Sequence, residues 1–75
     1  MISKEEFGKI IRHQRAMNRL TQKELADKCG FSRNTIVNIE NGRQNVCLDQ
    51  AFVFAKVLGF SLDYLVKEKR GYENE

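Results

Sequence analysis

Four hexapeptides of this chain follow one rule: an apolar residue, then Ser or Thr, three further residues, and a second apolar residue. They are ISKEEF (2–7), LTQKEL (20–25), FSRNTI (31–36) and FSLDYL (60–65). The hydroxyls of Ser3, Thr21, Ser32 and Ser61 can each accept a hydrogen bond from a backbone N–H that a helix start leaves without a partner. The apolar pairs Ile2/Phe7, Leu20/Leu25, Phe31/Ile36 and Phe60/Leu65 stand at the spacing of a hydrophobic staple, and Glu6 and Glu24 complete capping boxes with Ser3 and Thr21. Four helix starts are therefore fixed before any residue propensity is considered.

The stops come from Gly30, Gly42 and Gly59, each suited to a left-handed cap behind an apolar-periodic segment. Starts and stops together predict five helices, at about 4–17, 22–28, 33–41, 48–58 and 62–67. The fourth lacks a hydroxyl at its start, where Cys47 stands, so Asn45 or Asp49 is expected to cap it. Proline is absent, and no run alternates apolar with polar for long. The fold class is all-α, a compact five-helix domain. Seventy-five residues suffice for one small core, expected over residues 1–67. The charged, unpatterned ending, residues 68–75, is expected to fray.

Several functions are excluded at this stage. No apolar stretch reaches the roughly 18 residues that cross a bilayer. The start MISKEEF has acids where a signal peptide has basic residues, so a cytoplasmic protein without membrane contact is expected. Cys29 and Cys47 are not paired in a C-x-x-C motif, and His13 is the sole histidine. They read as reduced thiols and a surface imidazole, with no metal site and no cofactor. No phosphate-cradling glycine loop, Ser/His/Asp set or paired carboxylates are present, so the chain is not read as an enzyme. Charge is uneven: residues 1–43 carry nine Lys/Arg against five Asp/Glu, and residues 44–75 four against five. The first half is the basic half, which favours a polyanionic partner there, although a merely solvated surface would look the same on charge alone.

The loop between the second and third helices is about three residues long, centred on Gly30. So short a connection throws the third helix across the second, the helix-turn-helix geometry. Ala26 supplies the small residue that the close crossing needs. Leu25, Cys29, Phe31, Ile36 and Ile39 supply the shared apolar face. The third helix has an unusual outer side. With Ile36 and Ile39 inward, a step of about 100° per residue turns Arg33, Asn34, Val37, Asn38 and Asn41 outward, where a bland surface helix would carry Glu, Lys or Ala.

At these residues the sequence resembles the lambda-repressor-like family, the Cro or XRE type of helix-turn-helix protein. Counted from Gln22, that pattern wants apolar residues at the fourth, eighth, tenth, fifteenth and eighteenth places, a small residue at the fifth and glycine at the ninth. Leu25, Cys29, Phe31, Ile36, Ile39, Ala26 and Gly30 meet all seven. LTQKELA, IENG and AKVLGFSLDYL are similar to the family's flanking segments, so the resemblance spans roughly residues 7–66. Two departures stand out: Gln14 replaces a usual aliphatic, and Cys47 a usual Ser or Thr.

The outer face of the third helix carries base-reading chemistry. Arginine forks onto guanine O6 and N7, asparagine pairs with adenine N6 and N7, and an apolar group meets the thymine methyl. Arg33, Asn34 and Asn38 are the first candidates for base contacts, with Thr35 and Val37 next; the resemblance places base reading in the same two turns. Gln22 opens the second helix, where N–H groups and the dipole favour an anion, and in the family this glutamine holds the DNA backbone. Asn41, Arg43 and Gln44, on the far side of the third helix, are expected to contact phosphate as well. Glu40 would repel phosphate if exposed. The resemblance implies a structural ion pair between Glu40 and Arg15 of the first helix, and no catalytic role.

Phe52, Phe54, Phe60 and Tyr64 are more aromatic residues than one small core needs. Phe52, Phe60, Leu62, Tyr64 and Leu65 are the candidates for a dimer interface on the last two helices. One short helix reads only a few base pairs, whereas a two-fold dimer reads half-sites about 34 Å apart. The expected function is thus a transcriptional regulator, most simply a repressor or autoregulator, bound as a homodimer to a pseudo-palindromic double-stranded DNA operator. An antitoxin of the same fold, with a toxin partner as well as DNA, is the alternative. A helical interaction module without DNA binding is a third reading, opposed by Arg33, Asn34 and Asn38, because a protein-docking face favours aromatics or leucines.

Overall fold

The computed structural model describes residues 2–63. Four helices run in order: α1 (Lys4–Met17), α2 (Gln22–Cys29), α3 (Arg33–Glu40) and α4 (Leu48–Leu58). Among the described residues there is no strand. Of the expected fifth helix only Leu62 and Asp63 fall within the described residues, and both are helical, with Ser61 Oγ accepting from the Asp63 N–H at 3.0 Å. The rest of that helix and the 68–75 tail lie outside them.

The starts form as the hexapeptide rule requires. Ser3 and Glu6 exchange reciprocal bonds of 3.0 and 2.9 Å, and Thr21 and Glu24 exchange bonds of 3.0 and 2.8 Å. Ser32 Oγ accepts from the Thr35 N–H at 3.1 Å. The start of α4 differs from expectation. Cys47 itself occupies the cap position, not Asn45 or Asp49, and its N–H donates to Gln50 Oε1 at 3.1 Å. The reciprocal half of a capping box is sufficient here, because the glutamine three residues on can reach back to the cap N–H even where the cap side chain is a weak acceptor.

All four helices end in one motif. The N–H two or three residues beyond the helix end bonds back to a carbonyl five residues earlier: Leu20 to Arg15, Phe31 to Ala26, Arg43 to Asn38 and Phe60 to Ala55, at 2.9–3.1 Å. This closure requires a left-handed residue just before the donor. Gly30, Gly42 and Gly59 serve at three ends, whereas at the end of α1 the residue is Arg19, at φ 58°. The Gly42 cap leaves Asn41 outside α3, which is one residue shorter than expected.

Leu25, Ala26, Ile36, Ile39, Phe7, Ile11, Phe54 and Leu58 form one buried cluster. At its centre Phe54 receives the edges or faces of two rings, Phe7 at a centroid distance of 6.0 Å and Phe31 at 5.4 Å, both steeply inclined. Phe54 is thereby a core residue. α3 packs against both α1 and α2, with α4 closing the other side of α2. The tightest approach is between α1 and the end of α3. A Cβ on Gly8 would stand 2.3 Å from the Ile39 carbonyl oxygen and 3.0 Å from that of Glu40. Only a helix without a side chain there lets α1 lie on the last turn of α3.

Candidate nucleic-acid interface

The turn between α2 and α3 holds its shape through Gly30, at φ 77°, and the Phe31 N–H donating to the Ala26 carbonyl at 3.0 Å. A side chain with a Cβ is disfavoured at this φ. With Ala26, Ile36 and Ile39 buried beneath, α3 is pinned by one face and presents the other. Its first turn carries no acid. Arg33 and Asn34 are exposed there, and Val37 and Asn38 are half-buried one turn further on. Thr35 is also half-buried, and its hydroxyl lies 2.9 Å from Ser32 Oγ, so it is partly committed to the cap. Arg43 is exposed and Gln44 half-buried just past the end of α3.

Glu40 organises the inner edge of this surface. Its side chain is wholly buried, and Arg15 grips it with both arms of the guanidinium, Nε to Oε2 at 2.6 Å and Nη2 to Oε1 at 3.0 Å. Such a fork matches both carboxylate oxygens at once. Gln22 Nε2 donates to Oε1 at 3.1 Å, and Arg15 Nη1 donates to the Leu20 carbonyl at 2.9 Å. The Glu40 bond holds the Arg15 guanidinium above its ordinary pKa, outweighing its partial burial. One carboxylate thus ties α1, α2 and α3 together, and no buried side-chain nitrogen or oxygen among the described residues lacks a hydrogen-bond partner. Gln22, expected to meet phosphate, has its side-chain N–H on this carboxylate.

Arg12 escaped the sequence reading. Its Nε lies 3.7 Å from Glu40 Oε1, and its Nη2 donates to Asn41 Oδ1 at 3.0 Å and reaches the Glu40 carbonyl at 3.5 Å. The side chain remains 54 % exposed. A signal existed, since Arg12 precedes Arg15 by three residues and so shares its helix face. Gly8 also escaped, and nothing local in KEEFGKI announces that a neighbouring carbonyl fills the space of its side chain.

The dimer candidates separate. Phe52 is 55 % exposed on the outer side of α4. Leu48, one turn earlier and not anticipated, is exposed as well. Phe60 and Leu62 are partly buried against the core. Tyr64 and Leu65 lie outside the described residues.

A family model described as helix-turn-helix matches residues 11–65. An uncharacterised helix-turn-helix-type transcriptional regulator of Methanocaldococcus jannaschii is 42 % identical over 53 residues, covering 71 % of this chain and 80 % of that one. The control protein C.SmaI of Serratia marcescens is 33 % identical over 72 residues, covering 96 % of this chain and 84 % of that one. Among solved structures, the restriction-modification controller protein C.AhdI of Aeromonas hydrophila superposes with a TM-score of 0.74 at 29 % identity, covering 77 % of this chain and 84 % of that one.

Proposed function

This chain belongs to the helix-turn-helix family of Cro/C1 type, and on that footing we propose that it regulates transcription by binding a pseudo-palindromic DNA operator as a homodimer. The observation that carries this reading is the outer face of α3. Arg33 and Asn34 in the first turn and Val37 and Asn38 in the next offer a guanidinium fork, amides and a methyl surface, the groups that distinguish base pairs in the major groove. Thr35 is a weaker contributor, because its hydroxyl is engaged with Ser32. Gln22, Asn41, Arg43 and Gln44 would hold the phosphate backbone, positioning the helix without specifying sequence.

The surface suits DNA better than a protein groove. It has one positive charge and several amides where a docking helix would present aromatics or leucines. Homodimerisation supplies the length of site that one eight-residue helix lacks, with two copies of α3 entering successive major grooves about 34 Å apart. The exposed Leu48 and Phe52 on α4 and the Phe60 to Leu65 segment are the surfaces proposed for that contact.

The test is selection of binding sites from random duplex DNA, followed by titration of Arg33→Ala and Arg43→Ala on the selected site. Arg33→Ala should lose about 1–3 kcal/mol there and relax the preference at one base pair, while Arg43→Ala should weaken binding to all sequences alike. Failure to enrich any sequence, or indifference of both variants, would sink the proposal. Light scattering that finds only monomer at tens of micromolar, with and without the selected DNA, would remove the dimer.

A further inference from the structure

Arg12 and Asn41 lie next to the proposed DNA surface, and their mutual bond settles what each of them has left to offer. Arginine is a donor only, so the Asn41 side-chain oxygen must be the atom facing Arg12 Nη2, and the Asn41 amide nitrogen is turned to the other end. That nitrogen has no bond among the described residues, and neither does Arg12 Nη1. Two donor groups, carrying four N–H bonds between them, thus remain on two side chains joined at 3.0 Å just beyond the last turn of α3.

The charge is equally one-sided. Glu40 is already satisfied by the Arg15 fork and by Gln22. Arg12 approaches as a second guanidinium on a single carboxylate, at 3.7 Å and from the solvent side. Arg15 cancels Glu40, and Arg12 is left as surplus positive charge. Its bond to the Glu40 carbonyl holds it at the negative end of α3, where a cation is favoured. Gln22 and Arg12 also share one oxygen, Glu40 Oε1, so the guanidinium stands between Gln22 on one side and Asn41 on the other.

We propose that Arg12 and Asn41 form a preassembled clasp for one DNA phosphate, with Asn41 oriented by Arg12 and both donating to the same oxyanion. The inference rests on the DNA-binding reading above. It adds a residue of α1 to the interface and couples it to the residue that follows α3. Preassembly matters because the rotamers of a long arginine and of an asparagine are fixed before DNA arrives. The clasp positions α3 and reads no base, so its contribution is the same on every sequence.

Two substitutions separate the clasp from a purely structural contact that caps α3. Arg12→Ala should shallow the dependence of log affinity on log salt by about 0.9 per chain, on selected and unrelated DNA alike. Asn41→Asp is the sharper test. It gives Arg12 a carboxylate partner, so the melting temperature should hold or rise, yet it exchanges two donors for a negative charge facing phosphate. Affinity should fall on the order of 10-fold at physiological salt. Arg43→Ala run in parallel reports on the surface as a whole. Asn41→Asp that binds DNA like the wild type, or Arg12→Ala that is folded and keeps the full salt slope, overturns the clasp while leaving DNA binding intact. A wild-type chain that binds no duplex DNA overturns both.

Discussion

Replacing Gly8 by alanine sets two physical effects against each other, and the structure decides between them. Gly8 lies in the interior of α1 with an ordinary helical backbone, so helix propensity alone favours alanine by about 1 kcal/mol. The new Cβ, however, would stand 2.3 Å from the Ile39 carbonyl oxygen and 3.0 Å from that of Glu40. These obstacles are backbone atoms at the end of a helix whose other face is pinned by Ile36 and Ile39, so no side-chain rotation relieves them. Overpacking of a close-packed interior costs about 1–3 kcal/mol, and more where backbone must move. The clash should win, leaving Gly8→Ala about 1–2 kcal/mol less stable than the wild type. For a domain of this size each kcal/mol lowers the melting temperature by about 4–8 °C. Far-UV circular dichroism during thermal and urea denaturation measures both quantities. Lys9→Ala, exposed on the same helix, is the control and should move stability by no more than about 0.5 kcal/mol. A Gly8→Ala protein that melts at or above the wild-type temperature would show that α1 does not rest on α3 as described.

At Arg19 the sign reverses. The residue holds a left-handed φ of 58° with no structural need for its side chain, so Arg19→Gly should stabilise the fold by about 0.5–1 kcal/mol in urea denaturation, and Arg19→Val should destabilise it. The Arg15–Glu40 pair should behave as a unit. Glu40→Ala or Arg15→Ala alone leaves a buried or half-buried charge without its partner and should cost about 3–5 kcal/mol, whereas Arg15→Met combined with Glu40→Leu should retain more stability than either single change. Burial pushes the Cys29 thiol up from 9.0 to about 11. Between those values the folded chain binds more protons at this site than the unfolded chain, so stability should decline as pH rises through the window. Cys29→Ala should show a flatter decline from pH 9 to about 11, and equal slopes for the two proteins would refute the assignment.

What was legible in the sequence is what short-range chemistry decides. Hydroxyl caps join residues three apart, so Ser3, Thr21 and Ser32 fixed their helices within one turn of chain. Gly30 and Ala26 declared the crossing of α2 and α3 because one supplies the left-handed turn and the other the clearance. The alternation of Ile36 and Ile39 with Arg33, Asn34, Val37 and Asn38 assigned the two faces of α3. Illegible features depend on partners far along the chain. Gly8 looks like an ordinary weak helix residue until the Ile39 carbonyl arrives above it. Arg12 looks like a solvated charge until Asn41 comes within 3.0 Å. The aromatics could not be sorted by composition: Phe54 is at the centre of the core and Phe52 on the surface, although they are two residues apart. Cys47 misled in a different way, because its weakness as a cap drew attention to Asn45 and Asp49 when Gln50 already completed the start.

Glu40 brings the structural and functional arguments to a point where they disagree about sign. Simple Coulomb reasoning treats an acid on a DNA-reading helix as a source of repulsion, so Glu40→Gln, which deletes a negative charge, should tighten DNA binding. The geometry argues the opposite. The carboxylate is wholly buried, and its field toward solvent is already cancelled by the Arg15 fork at 2.6 and 3.0 Å. What it contributes at the surface is position, because Gln22 and Arg12 both approach the same oxygen. An amide in its place has one oxygen where the carboxylate has two. It must also turn an N–H toward a guanidinium that can only donate. Arg15 would then loosen, α1 would lose its tie to the end of α3, and Gln22 and Arg12 would no longer be held beside the phosphate site proposed above. Loss of such a buried pair costs about 3–5 kcal/mol, a large share of the stability of a small domain, so binding must be measured at low temperature and scaled to the folded fraction found by circular dichroism. Per folded molecule, Glu40→Gln should bind the selected site on the order of 10-fold more weakly than the wild type, a loss of about 1.4 kcal/mol. Tighter binding would show that Glu40 acts on DNA through its charge, and unchanged binding that Gln22 and Arg12 need no common anchor.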